Sequence, residues 1–264
     1  MTRERIEELA ISPSEVIGSI EAVLRARARS RAWNAPKAVI QPPDGRYMMA
    51  TLSASDDPPF LAVKALLLNP RNRSRGLSDI NALVTLLDSD TGLPLAVVDG
   101  NWVTAVRTAG LSGVAAKRLA RADSSVAAFI GCGVQARSHL RLFSAMFPLR
   151  EIRAFGRGAP NRDELCRTAE VMGLRAIASA SAREAVTGAD VVVTSITLTP
   201  ELTPFLDPRW LKPGTFVTMT DLARPWFVDG MKAFDRIGSM ISSRSVPRPG
   251  PWWSRRSSLV TSPA

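Results

Sequence analysis

Residues 125–136 read Ser-Val-Ala-Ala-Phe-Ile-Gly-Cys-Gly-Val-Gln-Ala, an apolar run that passes straight into a glycine turn. The run predicts a buried strand, and residues 137–147 predict a helix. In such a unit Gly131 permits the tight turn, Gly133 leaves room for a pyrophosphate, and the small Ala136 lets the helix pack on the strand. Free amides at the helix start face the phosphates, so this stretch predicts a dinucleotide site. A purely structural turn is the alternative.

The residues after this turn alternate between strand and helix patterns. Strands are predicted at 151–155, 175–178, 190–194 and 215–219, and helices at 162–172 and 182–186. Strands separated by helices form a parallel sheet with right-handed crossovers. We therefore expect an α/β fold with a Rossmann-type doubly wound parallel sheet over residues 123–237.

The end of the second predicted strand bears on the choice of dinucleotide. An acid at this place accepts the ribose hydroxyls of NAD and repels the 2′-phosphate of NADP. Here the sequence is Ala154-Phe155-Gly156-Arg157, with no carboxylate before Asp163. Because the Arg157 guanidinium can pair with a phosphate and stack on adenine, we expect NADP(H) to be favoured over NAD(H). If Arg157 is only a solvated loop residue, its replacement leaves this preference unchanged.

The N-terminal part has a different pattern. An amphipathic helix is predicted over 12–32, with Ser12 or Ser14 as its cap. The β-prone runs 38–40, 47–52, 60–68, 82–87 and 95–98 follow, separated by turn signals, and they predict an antiparallel meander. A helical stretch at 102–121 leads into the dinucleotide unit. We expect an α+β substrate and dimerisation domain (1–105), a connecting helix (106–122), the Rossmann domain (123–237) and an atypical tail (238–264).

Composition limits the classes of partner. The 264 residues include 34 Lys or Arg and 24 Asp or Glu, which gives a formal charge of +10. Residues 238–264 hold four arginines and no acid, and no basic stripe interleaved with aromatics occurs elsewhere, so we expect no nucleic-acid partner. No apolar run approaches the ~20 residues of a membrane helix, and the first residues are too charged for a secretory signal. We expect a cytoplasmic protein without a membrane partner.

The sequence offers little for metal or thiol chemistry. Its two cysteines, Cys132 and Cys166, and its one histidine, His139, are too few for a zinc cluster, so we expect no metal. Cys132 is interpreted as a small filler within the glycine turn. His139 is interpreted as a packed helix residue, with a role as proton donor as the less favoured alternative.

Three basic residues outside the Rossmann segment indicate an anionic ligand: Lys37, Lys64 and Arg107. Lys64 lies within the apolar run Leu-Ala-Val-Lys-Ala-Leu, where a lysine is costly to bury unless an anion meets it. Arg107 can bind a carboxylate through two parallel hydrogen bonds. An internal acid such as Asp99 is an equally good partner on composition alone, so both interpretations stay open.

The order of several motifs resembles the ornithine cyclodeaminase/mu-crystallin family over residues 12–237. The motifs are Asn-Pro-Arg-Asn at 69–72, Thr-Gly-Leu-Pro-Leu-Ala-Val-Val-Asp-Gly at 91–100, Arg-Thr-Ala-Gly at 107–110 and the glycine turn at 131–136. The resemblance implies a homodimer of two-domain subunits that hold a small imino or amino acid between the domains. It implies that Lys37, Lys64 and Arg107 bind the substrate carboxylate, and that Asp221 and Lys64 are catalytic, with Asp221 facing the substrate nitrogen.

The resemblance also implies a set of cofactor contacts. The positions matched around the nicotinamide and ribose include Thr108, Gln135 and residues after the fourth strand of the parallel sheet. Together with the turn and Arg157, the expected cofactor-binding residues are Thr108, Gly131, Gly133, Val134, Gln135, Ala136, Arg157, Thr194, Ser195 and Thr197.

Two differences from the family pattern influence the expected reaction. Lys37 stands where an arginine is expected, so its contact is a point charge. No acid occurs at 47–55, where the cyclodeaminase pattern has a glutamate. The site therefore lacks a carboxylate that would orient a second amino group of the substrate. We therefore expect an NAD(P)(H)-dependent oxidoreductase that interconverts a small or cyclic α-imino acid and its amino acid. Ornithine cyclodeamination and a non-catalytic nucleotide-binding relative damaged at its C-terminus are the alternatives.

The tail also differs from the family pattern. After residue 237 the family pattern continues with a strand, an acidic segment and helices that return to the dimerisation domain. This chain continues instead with a segment rich in Ser, Pro, Arg and Trp. Codons for residues 238–244 can, in a neighbouring frame, spell Val-Asp-Asp-Leu, then Glu or Gln, then Gln. The hypothesis is that a frameshift replaced the native C-terminus, which would expose apolar surface and weaken the dimer.

Overall fold

The N-terminal part of the computed structural model, which describes residues 1–199 and 201–238, is an antiparallel sheet preceded by two helices. The helices are α1 (Arg3–Glu7) and α2 (Pro13–Ala28), and Ser12 caps α2 in a reciprocal capping box with Glu15. The strands are β1 (Ala32–Asn34), β2 (Ala38–Ile40), β3 (Tyr47–Asp56), β4 (Pro59–Leu68), β5 (Ile80–Asp88) and β6 (Pro94–Asp99). Their order is β1-β3-β4-β5-β6, with β2 also paired to β3.

Strand register gives this sheet two distinct faces. Lys64 pairs with Thr51 of β3 and with Val84 of β5, so these three side chains share one face, here called the inner face. The opposite face is called the outer apolar face. It exposes large apolar side chains from five strands: Ile40, Met48, Leu52, Leu67, Leu83 and Val97.

The helix α3 (Gly100–Leu119) joins the two sheets. Asp99 begins it, because its carboxylate accepts hydrogen bonds from the Asn101 and Trp102 amides at 2.7 and 2.9 Å. Small residues on α3 allow α2 to approach closely, and Gly110 lies directly against Val16. α3 therefore touches both the antiparallel sheet and the helix that follows the glycine turn.

The C-terminal part is a five-stranded parallel sheet with the order β11-β10-β7-β8-β9. Its elements are β7 (Val126–Ile130), α4 (Val134–Met146), β8 (Glu151–Phe155), α5 (Ala159–Val171), β9 (Arg175–Ala178), α6 (Ala182–Val186), β10 (Val191–Thr194) and β11 (Phe216–Met219). The chain proceeds outward from β7 in one direction to β9 and then in the other to β11. Ligands of such sheets bind at the carboxyl ends of the strands where this reversal occurs, between β7 and β10.

The predicted elements are present, some with the predicted bounds and several with shifted bounds. The strands at 151–155 and 175–178 and the helix at 182–186 have the predicted bounds. The helix predicted over 12–32 ends at Ala28, because Ser30 adopts a left-handed conformation with φ 57° and Ala32 then begins β1, which was not predicted. The helix predicted at 102–121 runs from Gly100 to Leu119. The tail from 239 onward lies outside the described residues.

Within the described ranges, no helix combines the length and apolar character needed to cross a membrane. Within the same ranges, no three His, Cys, Asp or Glu side chains converge as a metal site would require.

Candidate functional site

The glycine turn lies at the switch point of the parallel sheet. Gly131 has φ +87°, and a Cβ there would lie 2.7 Å from the Ser195 carbonyl oxygen, so both backbone conformation and space require glycine. Gly133 precedes α4, no side chain caps this helix, and a Cβ at 133 would meet no atom within 4 Å. The first amides of α4 therefore face open space beside Gly133, which fits a pyrophosphate.

The residues beside the turn have different surroundings. Cys132 is buried against Gly156, and burial raises the pKa of its thiol to about 12, which keeps it an unreactive filler as predicted. Ala136, in the first turn of α4, is fully buried, whereas Val134 at the start of the same helix is exposed. Arg157 is exposed two residues after β8, where an adenosine ribose would lie in this fold.

Three cations lie close enough to influence one another electrostatically: Lys64 on the inner face of the antiparallel sheet, the exposed Lys37 before β2, and Arg107 on α3. Burial, together with the charges of Arg107 on α3 and of Lys37 before β2, lowers the pKa of Lys64 to about 8. Burial also lowers the pKa of Arg107, although part of its side chain is exposed to solvent. In the described part of the chain none of the three has a carboxylate partner, since Asp99 caps α3 instead. A cluster of unpaired cations fits an anionic ligand.

Asp221 lies just beyond β11 and is 2% exposed. Its carboxylate accepts hydrogen bonds from the Thr194 hydroxyl at 2.9 Å and from the Ile196 amide at 3.2 Å. Burial raises the pKa of Asp221 despite these hydrogen bonds, so the group holds a proton more readily than an exposed aspartate. Leu222 and Ala223, which follow it, have φ 59° and 57°, and strained residues of this kind concentrate at functional sites.

The polar side chains between α3 and α4 leave acceptors without partners. Thr108 donates its hydroxyl to the Thr104 carbonyl at 2.7 Å, and the Gln135 amide nitrogen contacts the same oxygen at 3.5 Å. The Gln135 Oε1 atom and the Thr104 hydroxyl are buried without a hydrogen-bond partner in the described structure. Such unsatisfied groups fit a ligand that supplies donors at this place.

The expected cofactor residues at the end of β10 and just after it have different surroundings. Ser195 donates its hydroxyl to the Gly131 carbonyl at 3.2 Å, which joins this loop to the glycine turn. The Thr194 hydroxyl is committed to Asp221, whereas Thr197 is exposed. Contacts of Thr104 and of the Ile196 amide were not predicted. The available signal for Thr104 was its position four residues before Thr108, which places both side chains on the same helix face. The Ile196 amide belongs to the backbone and therefore leaves no signal in the sequence.

Comparison with known proteins agrees with this architecture. A model of the ornithine cyclodeaminase/mu-crystallin family matches residues 1–225. The chain is 33% identical to alanine dehydrogenase of Archaeoglobus fulgidus over 219 residues, which are 82% of this chain and 65% of the relative. It is 36% identical to the ketimine reductase mu-crystallin of Mus musculus over 178 residues, 67% of this chain and 54% of the relative.

Solved structures resemble the chain over a similar extent. The structure of Thermococcus litoralis Δ1-pyrroline-2-carboxylate reductase in complex with NADH and L-proline matches with a TM-score of 0.76 and 30% identity, over 83% of this chain and 67% of that one. The chain thus spans about two-thirds or less of the length of these relatives. Sequence, fold and site geometry together place the chain in the ornithine cyclodeaminase/mu-crystallin family.

Proposed function

We propose that this chain is an NAD(P)(H)-dependent oxidoreductase that interconverts a small or cyclic α-imino acid and the corresponding amino acid. The observation that carries the proposal is the cluster of Lys37, Lys64 and Arg107, which has no carboxylate partner in the described structure. Residues 1–105 would form the substrate and dimerisation domain and 123–237 the cofactor domain, with 106–122 as the helix between them. Relatives named ketimine reductase, alanine dehydrogenase and pyrroline-carboxylate reductase support this class of reaction.

The cation cluster would bind the carboxylate of the substrate. Arg107 offers a planar pair of donors, while Lys64 and Lys37 offer point charges. Because burial and mutual repulsion already disfavour the charged form of Lys64, a bound carboxylate relieves an existing electrostatic cost. Binding the reacting molecule by its carboxylate fixes the position of its α-carbon.

Asp221 would act on the substrate nitrogen. When bound at the glycine turn, the reduced dinucleotide supplies a hydride to the imine carbon. The nitrogen must gain a proton in the same conversion, and the carboxyl group of Asp221 has a pKa raised by burial, which favours holding a proton for donation. The Thr194 hydroxyl and the Ile196 amide keep this carboxyl group in a fixed orientation.

The surroundings of Lys64 favour an imino acid over ornithine. Its cross-strand neighbours on the inner face, Thr51 and Val84, are uncharged, and residues 47–55 contain no acid. A second amino group would therefore find no carboxylate there. Formation of proline and ammonia from L-ornithine with NAD would contradict this choice and favour cyclodeamination.

For the cofactor we propose NADP(H) in preference to NAD(H), supported by the exposed Arg157 after β8 and by the missing acid at that strand end. Dependence on this intracellular cofactor also supports the expected cytoplasmic location. Replacing Arg157 with Asp should lower the NADP-to-NAD affinity ratio by about tenfold or more, since a carboxylate repels the 2′-phosphate. The matched control is Arg141→Asp on α4, an exposed arginine away from the turn. Equal ratios in wild type and Arg157→Asp would contradict the assignment.

For the quaternary structure we propose a homodimer in which a second copy of the chain covers the outer apolar face. Leu52, at 52% exposed, lies within this face, and so large an apolar surface marks an interaction site. The archaeal alanine dehydrogenase structure is a dimer. Replacing Leu52 with Arg should shift the sedimentation mass toward a monomer, whereas Val171→Arg at the end of α5, outside this face, should not. A monomeric wild type would refute the dimer.

The decisive experiment is an NADPH fluorescence titration followed by addition of Δ1-pyrroline-2-carboxylate. Wild type should bind and then oxidise NADPH. Gly133→Ala introduces no clash with the protein, so it should fold normally and bind NADPH about tenfold or more weakly. Asp221→Asn should keep NADPH binding and lose turnover by about 100-fold or more. Binding without oxidation of any imino acid would indicate a non-catalytic nucleotide-binding relative, and absence of binding by folded wild type would overturn the proposal.

A further inference from the structure

A chain of buried polar side chains joins three elements of the fold. His139 of α4 is fully buried, and its Nε2 lies 2.9 Å from the hydroxyl of Ser112 on α3. The Ser112 hydroxyl lies 2.7 Å from that of Thr218 on β11. Phe143 packs edge-on against the imidazole, with ring centroids 5.8 Å apart. His139, Ser112 and Thr218 are called the polar chain below.

The surroundings fix the direction of each hydrogen bond in this chain. His139 Nδ1 lies 2.7 Å from the Gln135 carbonyl, which can only accept, so Nδ1 carries the proton. Burial lowers the pKa of His139 to about 4, so at neutral pH Nε2 has no proton and accepts from the Ser112 hydroxyl. This hydroxyl lies 2.9 Å from Nε2 and 3.4 Å from its other acceptor, the Thr108 carbonyl. The Thr218 hydroxyl then donates to Ser112 Oγ. The polar chain therefore has one ordered arrangement at neutral pH.

We propose that the polar chain is a positioning device for the site, which holds the helix carrying Arg107 in register with the glycine turn and with the strand that leads to Asp221. Ser112 lies little more than one turn beyond Arg107 on α3, the Gln135 carbonyl belongs to the turn, and Thr218 lies in the strand before Asp221. This inference rests on the proposed function, because it concerns the relative placement of the cation cluster that binds the substrate carboxylate, the cofactor and the proton donor.

The physical reason lies in the difference between apolar and polar packing. An apolar core of equal volume would hold α3, α4 and β11 together but would tolerate small displacements among them. Directional hydrogen bonds permit one register, and a displacement of about 1 Å between reacting groups can reduce a rate about 100-fold. In the described structure no hydrogen bond joins Asp221 to the cation cluster, so their relative position depends on the packing between these elements.

Variants of the polar chain test this assignment in the full-length protein with Δ1-pyrroline-2-carboxylate and NADPH. Ser112→Ala and the nearly isosteric Thr218→Val should lower kcat about tenfold while the NADPH dissociation constant changes less than about threefold. His139→Gln keeps an acceptor near Ser112 and should retain more activity than His139→Leu. The double variant Ser112→Ala/His139→Leu should have a kcat no lower than that of its slower single variant, because both substitutions disrupt the same polar chain.

The control is Ser124→Ala, which removes another buried serine hydroxyl. That hydroxyl donates to the Arg121 carbonyl at 2.7 Å, away from the glycine turn. It should lower Tm to a similar degree as Ser112→Ala without changing kcat. Equal kcat losses in the two alanine variants, or additive losses in the double variant, would overturn the positioning role while leaving the proposed reaction intact. A wild type that binds no NADPH would overturn the proposed function itself, and the positioning role with it.

Discussion

Replacing Lys64 with Met should stabilise the ligand-free protein and at the same time lower turnover about 100-fold or more. Lys64 lies partly buried on the inner face, where burial and the charges of Arg107 and Lys37 disfavour its ammonium form. No carboxylate in the described structure compensates this charge. Methionine keeps most of the side-chain length and removes the unpaired charge, so folding no longer has to desolvate it.

The size of the expected gain in stability follows from the lowered pKa of Lys64. Lowering the pKa of Lys64 from its ordinary 10.5 to about 8 corresponds to at most about 3 kcal/mol against the charged folded state. Between these two pH values the unfolded chain binds more protons than the folded one, so wild-type stability rises with pH through this window. The penalty is therefore complete below about pH 8. With partial solvent screening we expect a gain of about 1–3 kcal/mol for Lys64→Met at pH 7, or about 2–6 °C in Tm.

The assay is thermal unfolding of wild type and Lys64→Met at pH 7 and at pH 10, with turnover measured on the same samples. The gain in Tm should shrink at pH 10. Activity should fall about 100-fold or more, because the substrate carboxylate loses one of the cations that bind it. Lys117→Met is the control, since this exposed lysine of α3 forms only a surface pair with Glu21 at 3.6 Å and should change Tm by about 1 °C or less. A lower Tm for Lys64→Met, or a gain in Tm that does not depend on pH, would refute the inference that the charge of Lys64 is uncompensated.

Three further changes test other parts of the structure. Gly131→Ala places a Cβ 2.7 Å from the Ser195 carbonyl oxygen at φ +87°, so melting and fluorescence titration should show a loss of about 2 kcal/mol and of NADPH binding. Arg107→Lys keeps the charge but loses the paired donors, so steady-state kinetics should show KM raised about tenfold with a smaller change in kcat. Burial raises the pKa of Asp190, but hydrogen bonds, chiefly from Lys212 at 2.6 Å, lower it to about 2. The corresponding stability of about 2 kcal/mol is present above about pH 4 and is lost as pH falls toward 2, so Lys212→Met should unfold at higher pH in an acid titration.

The sequence alone determined the local elements and their order. The strands at 151–155 and 175–178 were predicted with their observed bounds because short apolar runs between helical patterns are local signals. The glycine turn was predicted for the same reason, since strand, turn and helix follow one another directly along the chain. By contrast, β1 has only three residues and no periodicity, and it exists because Ala32 to Asn34 pair with β3.

Only the tertiary structure decided how distant side chains are used. Composition left Asp99 as a partner for Lys64 or Arg107, but helix formation commits its carboxylate to the first amides of α3. His139 and Ser112 are 27 residues apart in sequence, and Ser112 and Thr218 are 106 apart. Hydrogen bonds across such separations follow from the packing of whole helices and strands, which no local pattern records. The sequence therefore specified which chemical groups were available, and the packing specified which of them meet.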